Sequence, residues 1–188
     1  DSEYGWEKLF SERKYLAFSK NYNLNVRIAR FHNIYGPLGT WNNGKEKVPA
    51  AICRKVAEAS NPGEIEIWGD GKQTRSFLFI DDCIEATRRL MASDFKKPLN
   101  IGSDENVSIN LLADIVAEIS KKKISVNHID GPLGVRGRNS NNELIKKLPR
   151  YLPQTEYHGD FTLENIIYSN KNKFYLILFS IFLAFEVN

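Results

Sequence analysis

Val26-Arg27-Ile28-Ala29-Arg30-Phe31, running on into His32-Asn33-Ile34-Tyr35-Gly36-Pro37, is the stretch on which the fold turns. Residues Val26 to Phe31 alternate and are rich in β-formers, which predicts a strand. Polar residues at a strand end, closed by a Gly-Pro turn, are where open α/β sheets place their ligands. Upstream, Trp6, Leu9, Phe10, Tyr15 (less cleanly), Leu16 and Ala17 recur at helical spacing, with Asp1 or Ser2 available as the cap. A helix followed by a strand within thirty residues points to an α/β protein entered midway.

That first helix contains Tyr4-Gly5-Trp6-Glu7-Lys8. Its spacing puts Tyr4 and Lys8 on one helix face, a turn apart. An unperturbed tyrosine, of pKa about 10, is only about one part in a thousand ionised at pH 7, and a neighbouring ammonium favours the phenolate. An ordinary amphipathic helix carries such a pair as well, and about one Tyr-x-x-x-Lys arises by chance in a chain of this composition.

Downstream, Pro49 to Ser60 reads as a helix with Ile52, Val56 and Ala59 on one side. Glu64 to Trp68 alternates as a strand, Gly69-Asp70-Gly71 marks a hairpin, and Arg75 to Ile80 is the returning strand. On it Gln73 and Arg75 share a face; the arginine either clamps a phosphate or sits in solvent at the hairpin edge. Asp81 or Asp82 opens a helix through Arg89, Pro98 to Ile101 is a short strand, Ser108 caps another helix, and Ile124 to Ile129 is a strand. The glycine-punctuated loop Gly131-Pro132-Leu133-Gly134-Val135-Arg136-Gly137-Arg138 is flexible enough to fold over an anion or to be plain surface, and Asn139 to Leu148 reads as one more helix.

Composition is that of an ordinary globular protein, and a net charge of +3, evenly mixed, gives no basis for nucleic-acid binding. The run Lys121-Lys122-Lys123 reads as a solvated helix end. Cys53 and Cys83 lack metal-type spacing, and with no signal peptide in these residues a reduced, cytoplasmic setting is expected. Beyond about Leu152 the character changes, ending in the apolar run from Phe174 to Phe185. It is shorter than the roughly 20 residues of a membrane span. Of a buried strand or helix and a divergent tail, the tail is the reading taken, giving a first domain over 1–150 and a tail over 151–188.

Three motifs, in order, resemble the extended short-chain dehydrogenase/reductase superfamily: Tyr4-Gly5-x-x-Lys8, Arg30-x-x-Asn33-x-Tyr35-Gly36-Pro37, and Trp68-Gly69-Asp70-Gly71-x-Gln73-x-Arg75-x-Phe77. Within it, Gln73-Thr74-Arg75-Ser76-Phe77 and Gly134-Val135-Arg136-Gly137-Arg138-Asn139-Ser140 are similar to the plant GDP-mannose 3,5-epimerase family, over roughly Glu3 to Leu148. The resemblance implies the C-terminal portion of a Rossmann-type α/β fold with its small substrate-binding subdomain. It implies NAD as cofactor, a GDP-sugar as substrate, and a homodimer without membrane attachment. The activity would be conversion of GDP-mannose to GDP-L-galactose, supplying cell-wall and ascorbate precursors. Tyr4 would be the base and Lys8 would hold the nicotinamide ribose, both touching cofactor. Lys47 would be one member of an acid/base pair, whose cysteine has no counterpart in these residues. Asn33, Glu46, Lys47, Val48, Lys55, Gln73, Thr74, Arg75 and Arg138 would hold the nucleotide sugar, the arginines on its diphosphate. The glycine-rich dinucleotide loop of the family is missing from this sequence, so the expectation is a truncated chain, poorly soluble alone, with negligible NAD affinity and little or no turnover. Another nucleotide-sugar 4-epimerase or 4,6-dehydratase, or a non-catalytic binding or dimerisation module, is the alternative.

Overall fold

The computed structural model describes residues 3–132, 134–149, 165–170, 173–178 and 182–184. In chain order the elements are α1 (Glu3–Tyr22), β1 (Arg27–Phe31), β2 (Ile34–Tyr35), α2 (Val48–Glu58), β3 (Gly63–Trp68), β4 (Thr74–Arg75), β5 (Leu78–Phe79), α3 (Ile80–Ala92) and β6 (Leu99–Ile101). There follow β7 (Val107–Ser108), α4 (Ile109–Ser120), β8 (Ile124–Ile129), β9 (Gly137–Arg138), α5 (Glu143–Lys146), β10 (Asn165–Asn170), β11 (Lys173–Leu178) and β12 (Phe182–Ala184). Helix and strand alternate through most of the chain, as the α/β reading expects. The cap expected at Asp1 or Ser2, and most of the 151–188 tail, lie outside the described residues.

Two compact units share the chain. One takes the described residues up to Phe31, Ile84–Ile101, and those from Glu143 onward. In it β1 lies parallel to β6, Ala29 opposite Leu99, and antiparallel to β12, Ile28 opposite Leu183. Val26 and Ile28 are fully buried against Tyr15 and Leu24, so the predicted strand supplies the apolar contact that seats α1. A bidentate fork fastens the same pair: Arg30 Nε and Nη2 donate to the two Glu12 carboxylate oxygens, each at 2.6 Å. The carboxylate raises the already high guanidinium pKa further, by hydrogen bonding first and by its charge.

The second unit, His32–Cys83 with Gly102–Asn142, is built from two helix–strand pairs. Helices α2 and α4 cover one face of the parallel pair β3·β8, burying Ile52, Val56, Ile65, Ile67, Ile109 and Ala113. Outward positions of β3 (Glu64, Glu66, Trp68) are exposed, which is the alternation the sequence carries.

Three expectations are corrected here. Gly69-Asp70-Gly71 is a turn, but not a hairpin: β3 pairs with β8, Gly63 opposite Ile124 through Trp68 opposite Ile129. The apolar faces of both strands need the same helical cover, and that long-range burial overrides the local turn signal. Arg75–Ile80 is not one strand. It splits into β4, paired with β7 and β9, and β5, paired with β2, while Ile80 opens α3. The helix expected over Asn139–Leu148 shrinks to α5. Ser140 Oγ donates to Asn142 Oδ1 (2.7 Å) and Asn142 Nδ2 to the Ser140 carbonyl (3.1 Å), local bonds that compete with helix formation, and Asn142 Nδ2 also reaches Asp104 Oδ1 (2.8 Å) across 38 positions.

Lys122 also departs from the solvated helix end. Its Nζ donates to the carbonyls of Val56 (2.9 Å), Ala57 (2.7 Å) and Ala59 (2.7 Å), at the C-terminus of α2. Ser108 does cap α4, its Oγ accepting from the Leu111 amide at 3.1 Å.

Candidate active site

The first unit carries the tyrosine–lysine pair. Both belong to the opening turns of α1, and the Lys8 ammonium stands over the Tyr4 ring, 4.9 Å from its centroid. Tyr4 is 64% exposed, so the phenol is open to a ligand rather than packed. An exposed phenol beside an ammonium, on a helix seated by the Glu12–Arg30 fork, suits the vicinal hydroxyls of a ribose or sugar. That is the fit a nicotinamide ribose requires.

The second unit holds the other candidates. Glu46, Lys47 and Val48 enter α2 in succession: Lys47 is its N-cap, with extended backbone and exposed side chain, and Val48 is the first helical residue before Pro49. Proline there costs no hydrogen bond, since the first-turn amides have no helical partner. The Glu46 carboxylate is engaged within its own loop. It accepts from the Gly44 amide (2.7 Å) and from Arg54 (3.4 Å), and its pKa is lowered, chiefly by its own amide, with desolvation opposing. Lys55, two turns along α2, donates to the Glu66 carbonyl at 2.6 Å and so ties the helix to β3.

Asn33 sits just past β1 in the left-handed region (φ 40°), and its amide donates to the buried Ser76 carbonyl at 2.8 Å. This clasp joins the β1–β2 junction to the β4–β5 junction. Gln73 is nearly buried, its Nε2 donating to the Trp68 carbonyl at 3.3 Å while the buried Oε1 has no protein partner. Thr74 and Arg75 then form β4, whose parallel partner is β9: Thr74 opposite Gly137, Arg75 opposite Arg138. Arg75 is half-buried and donates to the Thr74 carbonyl at 2.7 Å; its Nη2 lies 3.7 Å from where a Cβ on Gly134 would stand. The Arg138 side chain lies outside the described residues.

The structure therefore brings Gln73, Thr74 and Arg75 beside the main chain of Arg138. It strings Glu46, Lys47 and Val48 along the start of α2, and gives Asn33 and Lys55 bracing contacts. Sequence reasoning missed Arg54, which donates to the Trp41 carbonyl (3.2 Å) as well as to Glu46, and the Asp70–Arg136 ion pair at 2.8 Å. For the second, an acid flanked by two glycines and an arginine in another glycine-rich loop was a usable signal of a loop–loop tie. Among the described residues no cluster of His, Cys, Asp and Glu forms a metal site.

Over 150 residues the chain is 53% identical to GDP-mannose 3,5-epimerase of Arabidopsis thaliana, a match covering 80% of this chain and 39% of that protein. GDP-mannose 3,5-epimerase 1 of Oryza sativa subsp. indica is 51% identical over the same shares. The chain thus spans about two fifths of the length of these curated relatives. Among solved structures, UDP-glucuronic acid 4-epimerase from Bacillus cereus, in complex with UDP-glucuronic acid and NAD, superposes with a TM-score of 0.66 at 26% identity. That match covers 82% of this chain and 48% of the bacterial one. The model of the NAD dependent epimerase/dehydratase family matches residues 1–102, more than half of the chain. On the tyrosine–lysine helix, the parallel strands and this match together, the chain is a member of the NAD dependent epimerase/dehydratase family.

Proposed function

We propose that the chain carries the substrate-holding part of an NAD-dependent nucleotide-sugar epimerase that converts GDP-mannose to GDP-L-galactose. The observation that carries the reading is the in-register pairing of Thr74-Arg75 with Gly137-Arg138, in a chain 53% identical to a GDP-mannose 3,5-epimerase. Arg75 supplies guanidinium donors for a phosphate of a sugar nucleotide, and the strand beside it carries a second arginine, Arg138. Gln73 Oε1, buried and without a protein partner, supplies an acceptor for a donor group of the ligand.

Bound NAD, held at its ribose by Tyr4 and Lys8, would supply the acceptor and donor for a hydride at C4 of the sugar. Tyr4, as the phenolate, takes the C4 hydroxyl proton at its oxygen, and Lys8 binds ribose hydroxyls. A carbonyl at C4 acidifies the C–H bonds at C3 and C5, because the carbanion left behind is delocalised onto oxygen. Lys47, exposed at the α2 N-cap, holds a proton at Nζ and delivers it to those carbons from one face, while a base on the opposite face takes the C–H proton. The partner on the opposite face has no candidate among the described residues.

A second reading has its own support. Every sugar-nucleotide candidate lies in one compact unit, and Tyr4 and Lys8 lie in the other. A binding module without turnover needs only the former. The separating experiment fuses the dinucleotide-binding segment of the Arabidopsis relative in frame ahead of Glu3 and incubates the fusion with NAD and GDP-mannose. GDP-L-galactose as product supports the epimerase. A C4 epimer or a dehydrated sugar alone sinks it, and tight binding with no product favours the module.

A further inference from the structure

We infer that the Asp70–Arg136 ion pair is the latch that sets the position of the Gly137–Arg138 strand against Thr74-Arg75, which makes Asp70 and Arg136 positioning residues. Strand β9 is two residues long and sits at the edge of its sheet, in the order β7-β4-β9. So little backbone pairing is poor insurance against fraying. The chain reaches β9 through Gly134, whose left-handed backbone (φ 61°) leaves the approach without stiffness of its own.

Arg136 is the node. Its carbonyl accepts from the Thr74 amide at 2.9 Å, and its Nη1 donates to Asp70 Oδ2 at 2.8 Å. Main chain and side chain of one residue thus fasten the loop to two different points. Asp70 is itself well held. Its Oδ1 accepts from the Lys72 amide (3.1 Å), and its carbonyl from Asn110 Nδ2 (3.1 Å). The Asn110 amide donates to the Gly71 carbonyl (3.0 Å), and the Asn110 side chain fills the space a Cβ on Gly71 would need, with Oδ1 1.7 Å from that point. One carboxylate therefore closes its own turn with one oxygen and grips the arginine loop with the other, anchored on α4. Asp70 titrates below the ordinary carboxylate range, held down first by Arg136 and then by the Lys72 amide.

The consequence for ligand binding rests on the reading of Arg75 and Arg138 as a diphosphate clamp; the latch itself does not. The test is Asp70→Asn in the full 188-residue chain, with two readouts: hydrogen exchange of the Thr74 amide, and titration with GDP. Asparagine keeps the Oδ1 acceptor for the Lys72 amide and removes the charge that grips Arg136. Expected are a Thr74 exchange rate and a GDP dissociation constant each raised about two- to five-fold, the scale of one ion pair whose partners are both exposed. The melting temperature should hardly move, and Arg136→Met, which leaves the Asp70–Lys72 turn intact and removes only the guanidinium, should raise Thr74 exchange to the same extent. Unchanged Thr74 exchange in either Asp70→Asn or Arg136→Met overturns the latch. Faster exchange with unaltered GDP affinity overturns the positioning role. Absence of GDP binding in the parent chain sinks the diphosphate reading instead, and Thr74 exchange then decides the latch alone.

Discussion

Replacing Glu12 by alanine removes both acceptors of the Arg30 guanidinium and leaves a half-exposed cation on β1 with no fork. The expected cost is about 2 kcal/mol, the scale of hydrogen bonds to a charged partner, read as a lower urea midpoint at unchanged slope. A midpoint equal to the parent's would show that the fork adds nothing to the seating of α1. At the reacting centre, Tyr4→Phe in the fused enzyme keeps the ring under Lys8 and removes the proton acceptor. It should lower kcat by about 100-fold or more with little change in KM. A rate within a few-fold of the parent would remove Tyr4 from the chemistry. Single residues divide sharply in how far sequence reveals them. Tyr4 and Lys8 are legible because a four-residue spacing fixes a shared helix face. The bracing use of Glu46 by Arg54 and the Gly44 amide is not, since the loop conformation that joins them leaves no periodic trace.

Helix α4 was readable at its start and α2 along its buried face. Ser108 announces α4, and Ser108→Ala should cost about 1 kcal/mol by leaving the Leu111 amide uncapped. The stabilisation Lys122 gives α2 has no sequence signal, because its three carbonyl partners lie more than sixty positions away. Lys122→Met keeps most of the apolar stem and removes the donors. It should lower stability by about 1–2 kcal/mol and raise exchange in the last turn of α2 while leaving β1 unaffected. Uniform exchange changes across both units would contradict so local a role. Strands were the weaker half of the reading. The six-residue β3 and β8 alternate and were found; their mutual pairing was not, since the Gly69-Asp70-Gly71 signal is local and the shared helical cover is not. The two-residue strands β2, β4, β5, β7 and β9 carry no period at all, yet β4 and β9 hold the candidate site.

For the whole molecule, charge sets the response to acid. Asp70 and Glu46 both titrate below their ordinary values when folded, Asp70 first through Arg136 and Glu46 first through its own amide. The unfolded chain therefore takes up protons at a higher pH than the folded one. The stability these groups contribute is full above the ordinary carboxylate pKa of about 4 and is lost as pH falls through the lower folded values. Thermal stability should show no loss from these two groups between pH 8 and pH 5 and should decline below about pH 4, with a shallower decline in Asp70→Asn. A steep loss already at pH 6 would point to other groups. The two units also divide the proposed labour, with the C4 hydroxyl proton taken on α1, and the ligand grip around β4 and β9 and the Lys47 proton both in the second unit. The most direct test of the proposed 3,5-epimerisation is to run the fused enzyme with NAD and GDP-mannose in D2O and locate deuterium in the recovered sugar nucleotide by NMR. Inversion through a carbanion beside a C4 carbonyl requires solvent deuterium at C3 and C5 of the product, and this is the expected result. Inversion confined to C4 with no deuterium at either neighbour would contradict the 3,5-epimerase.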